Sequence, residues 1–126
     1  MKNSPMETVN EFIAAYNSMD IEKMITYLHQ EIEFRNISNG VENAHTKDID
    51  EFRELAKKSL EIFRTREQRI ISYIESGDTI KVEIMYQAIL AIDLQKGLKP
   101  GDKLEMMGRS TYTFKDDLIT MLIDES

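Results

Sequence analysis

A single carboxylate and a few hydroxyls sit among apolar residues at regular spacing in this sequence, and that pattern points to proton chemistry. From Leu104 to Asp124 the chain reads as two strands joined by the polar turn Lys115-Asp116-Asp117, whose carboxylates can accept local backbone bonds. With a side-chain period of two, Leu104, Met106, Gly108, Ser110, Tyr112 and Phe114 share one face of the first strand. Leu118, Thr120, Leu122 and Asp124 share one face of the second; Ile119, Met121, Ile123 and Glu125 take the other. Asp124 therefore stands on a face that otherwise reads as core. A carboxyl in an apolar cavity resists ionisation, so its pKa rises toward the range that suits general acid–base work near neutral pH. Tyrosine hydroxyls can donate to a developing enolate. The competing reading is that these polar groups bond one another and satisfy a mixed core.

Other residue types offer less. His29 falls at the C-terminal end of a short helix, where an imidazole can meet orphan carbonyls and the negative end of the helix dipole. His45 falls in a loop and is expected to face solvent. Neither has a carboxylate at ligand spacing, so no metal site is expected, nor a cofactor. The sequence has no cysteine, which excludes disulfides and thiolate metal sites.

The elements that must position these groups follow from the periodicity. Ser4-Pro5-Met6-Glu7 is a capping box with proline at the first helical position. The helix behind it carries Val9, Phe12, Ile13 and Tyr16 on one stripe. Asp20 caps a second helix with Ile21, Met24, Ile25 and Leu28 on its stripe. Asp48 and Glu51 open a third, with Ile49, Phe52, Leu55, Ala56, Leu60 and Phe63. The expected spans are about 5–18, 21–29 and 48–64, good to a few residues. Between the second and third helices, Glu31 to Asn36 alternates as a strand, with Ile32, Phe34 and Asn36 on one face. Ile37 to Lys47 reads as loop. Gln68 to Glu75 and Thr79 to Asp93 are further strands around the turn Ser76-Gly77-Asp78, and Tyr86 shares a face with Ile80, Val82, Ile84, Ala88, Leu90 and Ile92. Pro100-Gly101 marks the next turn. Segregated helices and antiparallel strands mean an α+β fold. Three N-terminal helices covering the concave face of a strongly curved, mostly antiparallel sheet would make a cone-shaped α+β barrel.

Composition sets outer bounds. At 126 residues, one domain over 1–126 is expected, with roughly two-thirds of the unfolded surface buried. A net charge of −7 argues against nucleic acid and anionic membrane as partners. No apolar run reaches the roughly 20 residues that span a bilayer, and the N-terminus lacks a signal-peptide apolar region. A cytoplasmic protein is the expectation. The eight methionines suit an adaptable lining or interface. Met85, Ile89, Met107, Met121 and Ile123 line up on the other sheet face, with Glu83, Arg109, Thr111 and Glu125 around them. Such a patch on a monomer would mark a homodimer interface.

Taken together, Phe12-x3-Tyr16-Asn17-x2-Asp20, Tyr27-Leu28-x5-Phe34, Ser76-Gly77-Asp78-Thr79, Lys99-Pro100-Gly101-Asp102 and Phe114-x2-Asp117-x-Ile119 resemble the nuclear transport factor 2-like superfamily. The likeness is to its SnoaL-like polyketide cyclase and ketosteroid-isomerase-like branches, and it covers nearly the whole chain. It implies a hollow fold whose inner face holds the site. Carried over residue by residue, the isomerases' general-base aspartate falls on Asn36, their oxyanion-hole tyrosine on Phe12 and their oxyanion-hole aspartate on Ser110. The epoxide hydrolases' asparagine and last-strand aspartate fall on Asn36 and Asp124, but their middle-strand arginine and aspartate fall on Tyr86 and Ala88. The cyclases' last-strand aspartate falls on Asp124, and Ser110 stands near their histidine.

The resemblance thus implies Asp124 and Ser110 as catalytic residues. The ligand would meet Phe12, Tyr16, Phe34, Asn36, Tyr86, Met106, Tyr112 and Leu122, in a pocket on the order of 300–1,000 Å³. Two functions stay open. One is a cofactor-independent lyase, isomerase or cyclase acting on a small hydrophobic carbonyl compound through Asp124. The other is a non-catalytic ligand-binding or dimerisation module of the same fold.

Overall fold

In a computed structural model, residues 3–93 and 97–126 are described. Helix α1 (Pro5–Asn17) starts on the expected capping box: Ser4 accepts from the Glu7 amide, and the Glu7 carboxylate accepts from the Ser4 amide. Helix α2 (Ile21–Ile25) is capped by Asp20 and helix α3 (Ile49–Ser59) by Asp48. Strands β1 (Leu28–Ser38) and β2 (Val41–Thr46) lie between α2 and α3. Strands β3 (Phe63–Ser76), β4 (Thr79–Leu90), β5 (Lys103–Lys115) and β6 (Leu118–Glu125) follow.

The six strands form one sheet in the order β2-β1-β6-β5-β4-β3. The β1–β6 pair is parallel and the other four pairs are antiparallel. The sheet is open, with β2 and β3 as edges, so it is not the closed barrel expected from the sequence. The helices also do not all precede the sheet, because α3 comes after two of its strands. One face of the sheet takes the helices. Ile32, Ile80, Val82, Ile84, Tyr112 and Leu122 from the strands pack with Val9, Phe12, Ile13, Met24, Phe52 and Ala56 from the helices, all buried.

Three local expectations need correction. Helix α2 ends at Ile25 rather than near His29. The Thr26 hydroxyl bonds back to Lys23 O at 2.6 Å, and Ile119 N donates to Tyr27 O, so Leu28 already belongs to the sheet. His29 is thus a strand residue, and its Nδ1 accepts from Glu31 N at 3.0 Å. Helix α3 stops at Ser59, not at 64. The amides of Leu60, Glu61 and Ile62 reach back three residues, tightening the chain before Phe63 pairs with Leu90. The stretch 37–47 is no loop: Asn39-Gly40, both at positive φ, turn the chain so that β2 pairs with β1. His45 lies on β2, exposed, with Nε2 2.8 Å from Glu33 Oε2.

The β5–β6 hairpin turns at Asp116-Asp117, both with positive φ, as a primed two-residue turn requires. A bulge between Thr113 and Phe114 shifts the register so that Phe114 opposes Ile119. Ile119, expected on the outer face, is therefore fully buried in the core. Beyond the bulge the expected alternation holds, with Tyr112 opposite Leu122 and Ser110 opposite Asp124.

Candidate functional site

Strand pairing places the polar centre. Asp124 on β6 lies opposite Ser110 on β5 and beside Asn36 on β1. The three form one row across the sheet, since paired residues point to the same face. Ser110 Oγ donates to Asp124 Oδ1 at 2.6 Å. The Asn36 amide donates instead to Asn43 Oδ1 on β2, at 2.8 Å. Burial raises the Asp124 carboxyl to about 6; the Ser110 bond, which favours the ionised form, opposes that rise.

Two adjoining cavities, of about 240 and 290 Å³, meet around this row. Each falls just under the size expected for one pocket. Asp124, Asn36 and Tyr16 border both. Phe12, Phe34, Tyr112 and Leu122 border the first, which runs under α3. Ser110, Tyr86 and Met106 border the second. Met106 is 40% exposed, so it stands at a mouth rather than deep inside. Each of the ten residues expected from the sequence to form the catalytic and ligand site thus lies on a cavity wall.

Aromatic contacts shape those walls. Phe12 meets Tyr112, and Phe34 meets Phe52, edge to face. Tyr16 Oη donates to Tyr86 Oη at 3.2 Å. Burial raises the pKa of both hydroxyls, and that of Tyr112 as well. All three stay protonated at neutral pH, as hydrogen-bond donors must.

The sequence did not reveal Arg66. It is 5% exposed, and its guanidinium lies 3.7 Å from the centre of the Tyr16 ring. Its Nε donates to Tyr16 O at 3.0 Å, in the last turn of α1, where free carbonyls and the helix dipole favour a cation. Its Nη1 donates to Ser59 Oγ at 3.2 Å. Arg66 borders the first cavity, as does its neighbour Gln68. The missing signal was the start of β3. Once the strand begins at Phe63, the alternation Arg66, Gln68, Ile70 follows, each opposite an inner-face residue of β4.

Arg66 and Asp124 border one cavity although β4 and β5 separate their strands. In a flat sheet such strands would lie roughly 14 Å apart. Both side chains border the space between the sheet and residues of α1 and α3, among them Phe12, Tyr16, Phe52 and Ser59.

Solved structures share this architecture. One of a candidate polyketide cyclase from Xanthomonas campestris superposes with a TM-score of 0.83 at 14% identity, covering 97% of this chain and 89% of that one. IdmH, a candidate polyketide cyclase from Streptomyces antibioticus, gives 0.79 at 14% identity, covering 97% and 91%. A protein of ketosteroid isomerase-like fold from Catenulispora acidiphila, in complex with trimethylamine, gives 0.75 at 12% identity, covering 94% and 83%. These likenesses establish the nuclear transport factor 2-like fold. No curated protein sequence matches the chain. The SnoaL-like domain family matches residues 9–122, nearly the whole chain, and the protein belongs to that family.

Proposed function

We propose that the chain binds a small hydrophobic carbonyl compound in the adjoining cavities and that Asp124 moves a proton on it. The observation that carries this reading is the place of Asp124: it borders both cavities, with one carboxylate oxygen fixed by Ser110. Above its pKa the carboxylate takes a proton from the carbon next to the carbonyl. The C–H electron pair moves into a carbon–carbon bond, and the carbonyl oxygen becomes an enolate. Tyr86, whose oxygen accepts from Tyr16, keeps its own hydroxyl proton to donate to that oxygen. Return of the proton from Asp124 to another carbon gives an isomer; attack of the enolate carbon on a second carbonyl closes a ring, and Asp124 returns its proton to the alkoxide so formed. Ser110 is the positioning partner that fixes the carboxylate's orientation.

On this reading the chain acts as one domain over 1–126 in the cytoplasm, without a cofactor, as a homodimer through the outer sheet face. Met107 on that face is 53% exposed, while Met85, Ile89, Met121 and Ile123 are half-buried. The second reading is a binding or dimerisation module without chemistry. It is favoured by Asn36, whose amide cannot act as a base and which bonds to Asn43 rather than to Asp124.

The test uses 2-tetralone, a two-ring ketone with acidic C–H bonds. Its exchange with deuterated water is followed by NMR with wild-type protein and with Asp124→Asn. Faster exchange by wild type alone, with binding kept in both, supports proton transfer by Asp124. Binding without exchange supports the module. Absence of binding by either protein would overturn ligand binding for compounds of this kind.

A further inference from the structure

Asp124 and Arg66 are the charged side chains on the wall of the first cavity, and no ion pair joins them. Arg66 spends Nε on a backbone carbonyl and Nη1 on a serine hydroxyl. Its Nη2 is buried and has no hydrogen-bond partner among the described residues. Guanidinium groups do not lose their charge in proteins. A buried cation that meets no carboxylate is costly, and stacking on Tyr16 offsets only part of that cost. Around the guanidinium the cavity wall is apolar or neutral: Phe63, Leu55, Ala56, Ser59, Gln68 and Tyr16. Among the described residues no carboxylate pairs with this guanidinium; a helix-end carbonyl, a serine hydroxyl and an aromatic face are its partners.

We propose that Arg66 is the docking point for an ionised oxygen on the ligand, so that the cavity takes hydrophobic molecules carrying a carboxylate or a stabilised enolate. This rests on the ligand-binding reading above and narrows its ligand class. Nη2 is covered and, among the described residues, unpartnered, so an ionised oxygen that displaces that cover gains a donor, and low dielectric strengthens the bond. The aromatic walls of Phe12, Phe34 and Tyr112 would hold the apolar body. Asp124, on the same cavity wall but not ion-paired with Arg66, would then face a different part of the same molecule. A neutral ligand of the same shape would leave the guanidinium unanswered.

The experiment compares 2-naphthoate with 2-naphthamide, which has the same rings and nearly the same shape but no charge. Binding to the wild-type protein is measured by isothermal titration calorimetry at pH 7.5. The expected result is that naphthoate binds about tenfold or more tightly than naphthamide, the size of one hydrogen bond to a charged group. In Arg66→Gln that preference should vanish, with naphthoate binding no more tightly than naphthamide does to the same variant. If Arg66→Gln does not fold by circular dichroism, the wild-type comparison decides alone. Naphthamide binding as tightly as naphthoate would overturn the anion site and leave the cavity as a ligand site. Failure of both to bind would overturn the ligand-binding reading itself, and the anion site with it. An unchanged naphthoate preference in a folded Arg66→Gln would also overturn the assignment to Arg66.

Discussion

Ser110 Oγ lies 2.6 Å from Asp124 Oδ1, and the two residues are direct cross-strand partners in the β5–β6 ladder. The bond is therefore built into the register and does not depend on a flexible loop. It also acts against burial, because a hydrogen bond to the ionised carboxylate lowers a pKa that the surroundings raise. Replacing Ser110 with alanine removes that opposing effect. The Asp124 titration, followed by carboxyl carbon NMR, should then move above about 6 in Ser110→Ala. A midpoint unchanged or lowered would mean that Ser110 does not stabilise the charged form.

Asn17 and Gln68 offer a second test, this time of the scaffold. The Asn17 side chain donates to Gln68 O at 3.0 Å and accepts from Gln68 N at 2.7 Å. It thus takes the place of a strand partner on the free edge of β3, from the last residue of α1. Asn17→Ala leaves both Gln68 backbone groups without that partner. The expected loss is about 1–3 kcal/mol in urea unfolding, with faster amide exchange at Gln68. Exchange unchanged at Gln68 would show that β3 is held in place by other means, such as the Arg66 bond to Tyr16 O.

The outer sheet face yields a third. Met107 is its most exposed apolar side chain among the proposed interface residues, and Arg109 Nε bonds Glu83 Oε1 at 3.0 Å two residues further along β5. A charge placed at Met107 would be buried without a partner in a dimer and solvated in a monomer. Wild-type protein should sediment as a dimer at micromolar concentration, and Met107→Glu as a monomer with an unchanged fold by circular dichroism. A monomeric wild type would remove the homodimer from the proposal.

The faces that carry Asp124, Ser110, Tyr112 and Tyr86 were legible because long strands repeat a period of two without interruption. What hid was irregular. Ile119 departs from the simple alternation because the bulge at Thr113–Phe114 inverts it for one step, and no residue type announces a bulge. Strand β2 is hard to see in the sequence because Val41 to Thr46 is polar and lies at an edge, although Asn39-Gly40 is a strong hairpin signal. Arg66 was missed for a different reason. The apolar stripe of α3 continues in phase through Leu60 and Phe63, so the periodicity runs past the helix end at Ser59. The strand that turns Arg66 inward then had no visible start.

Asp124 itself carries the last prediction, in which stability and chemistry oppose each other. The folded carboxyl titrates at about 6, above its ordinary 3.8, because burial disfavours the charge. Between those two values the folded state holds a proton that the unfolded state has lost. The stability this group contributes is therefore full below about pH 4 and is lost as pH rises through 6, leaving a cost of about 3 kcal/mol at neutral pH. Asp124→Asn has nearly the same shape, can still accept from Ser110 and carries no charge. It should melt several degrees above wild type at pH 8 and within a degree or so of it at pH 4, while losing the exchange of 2-tetralone. A carboxylate kept for fold stability would give the reverse, with the variant melting below wild type at pH 8. In that case Asp124 would be a structural acceptor, and proton transfer would have to be sought elsewhere on the cavity wall.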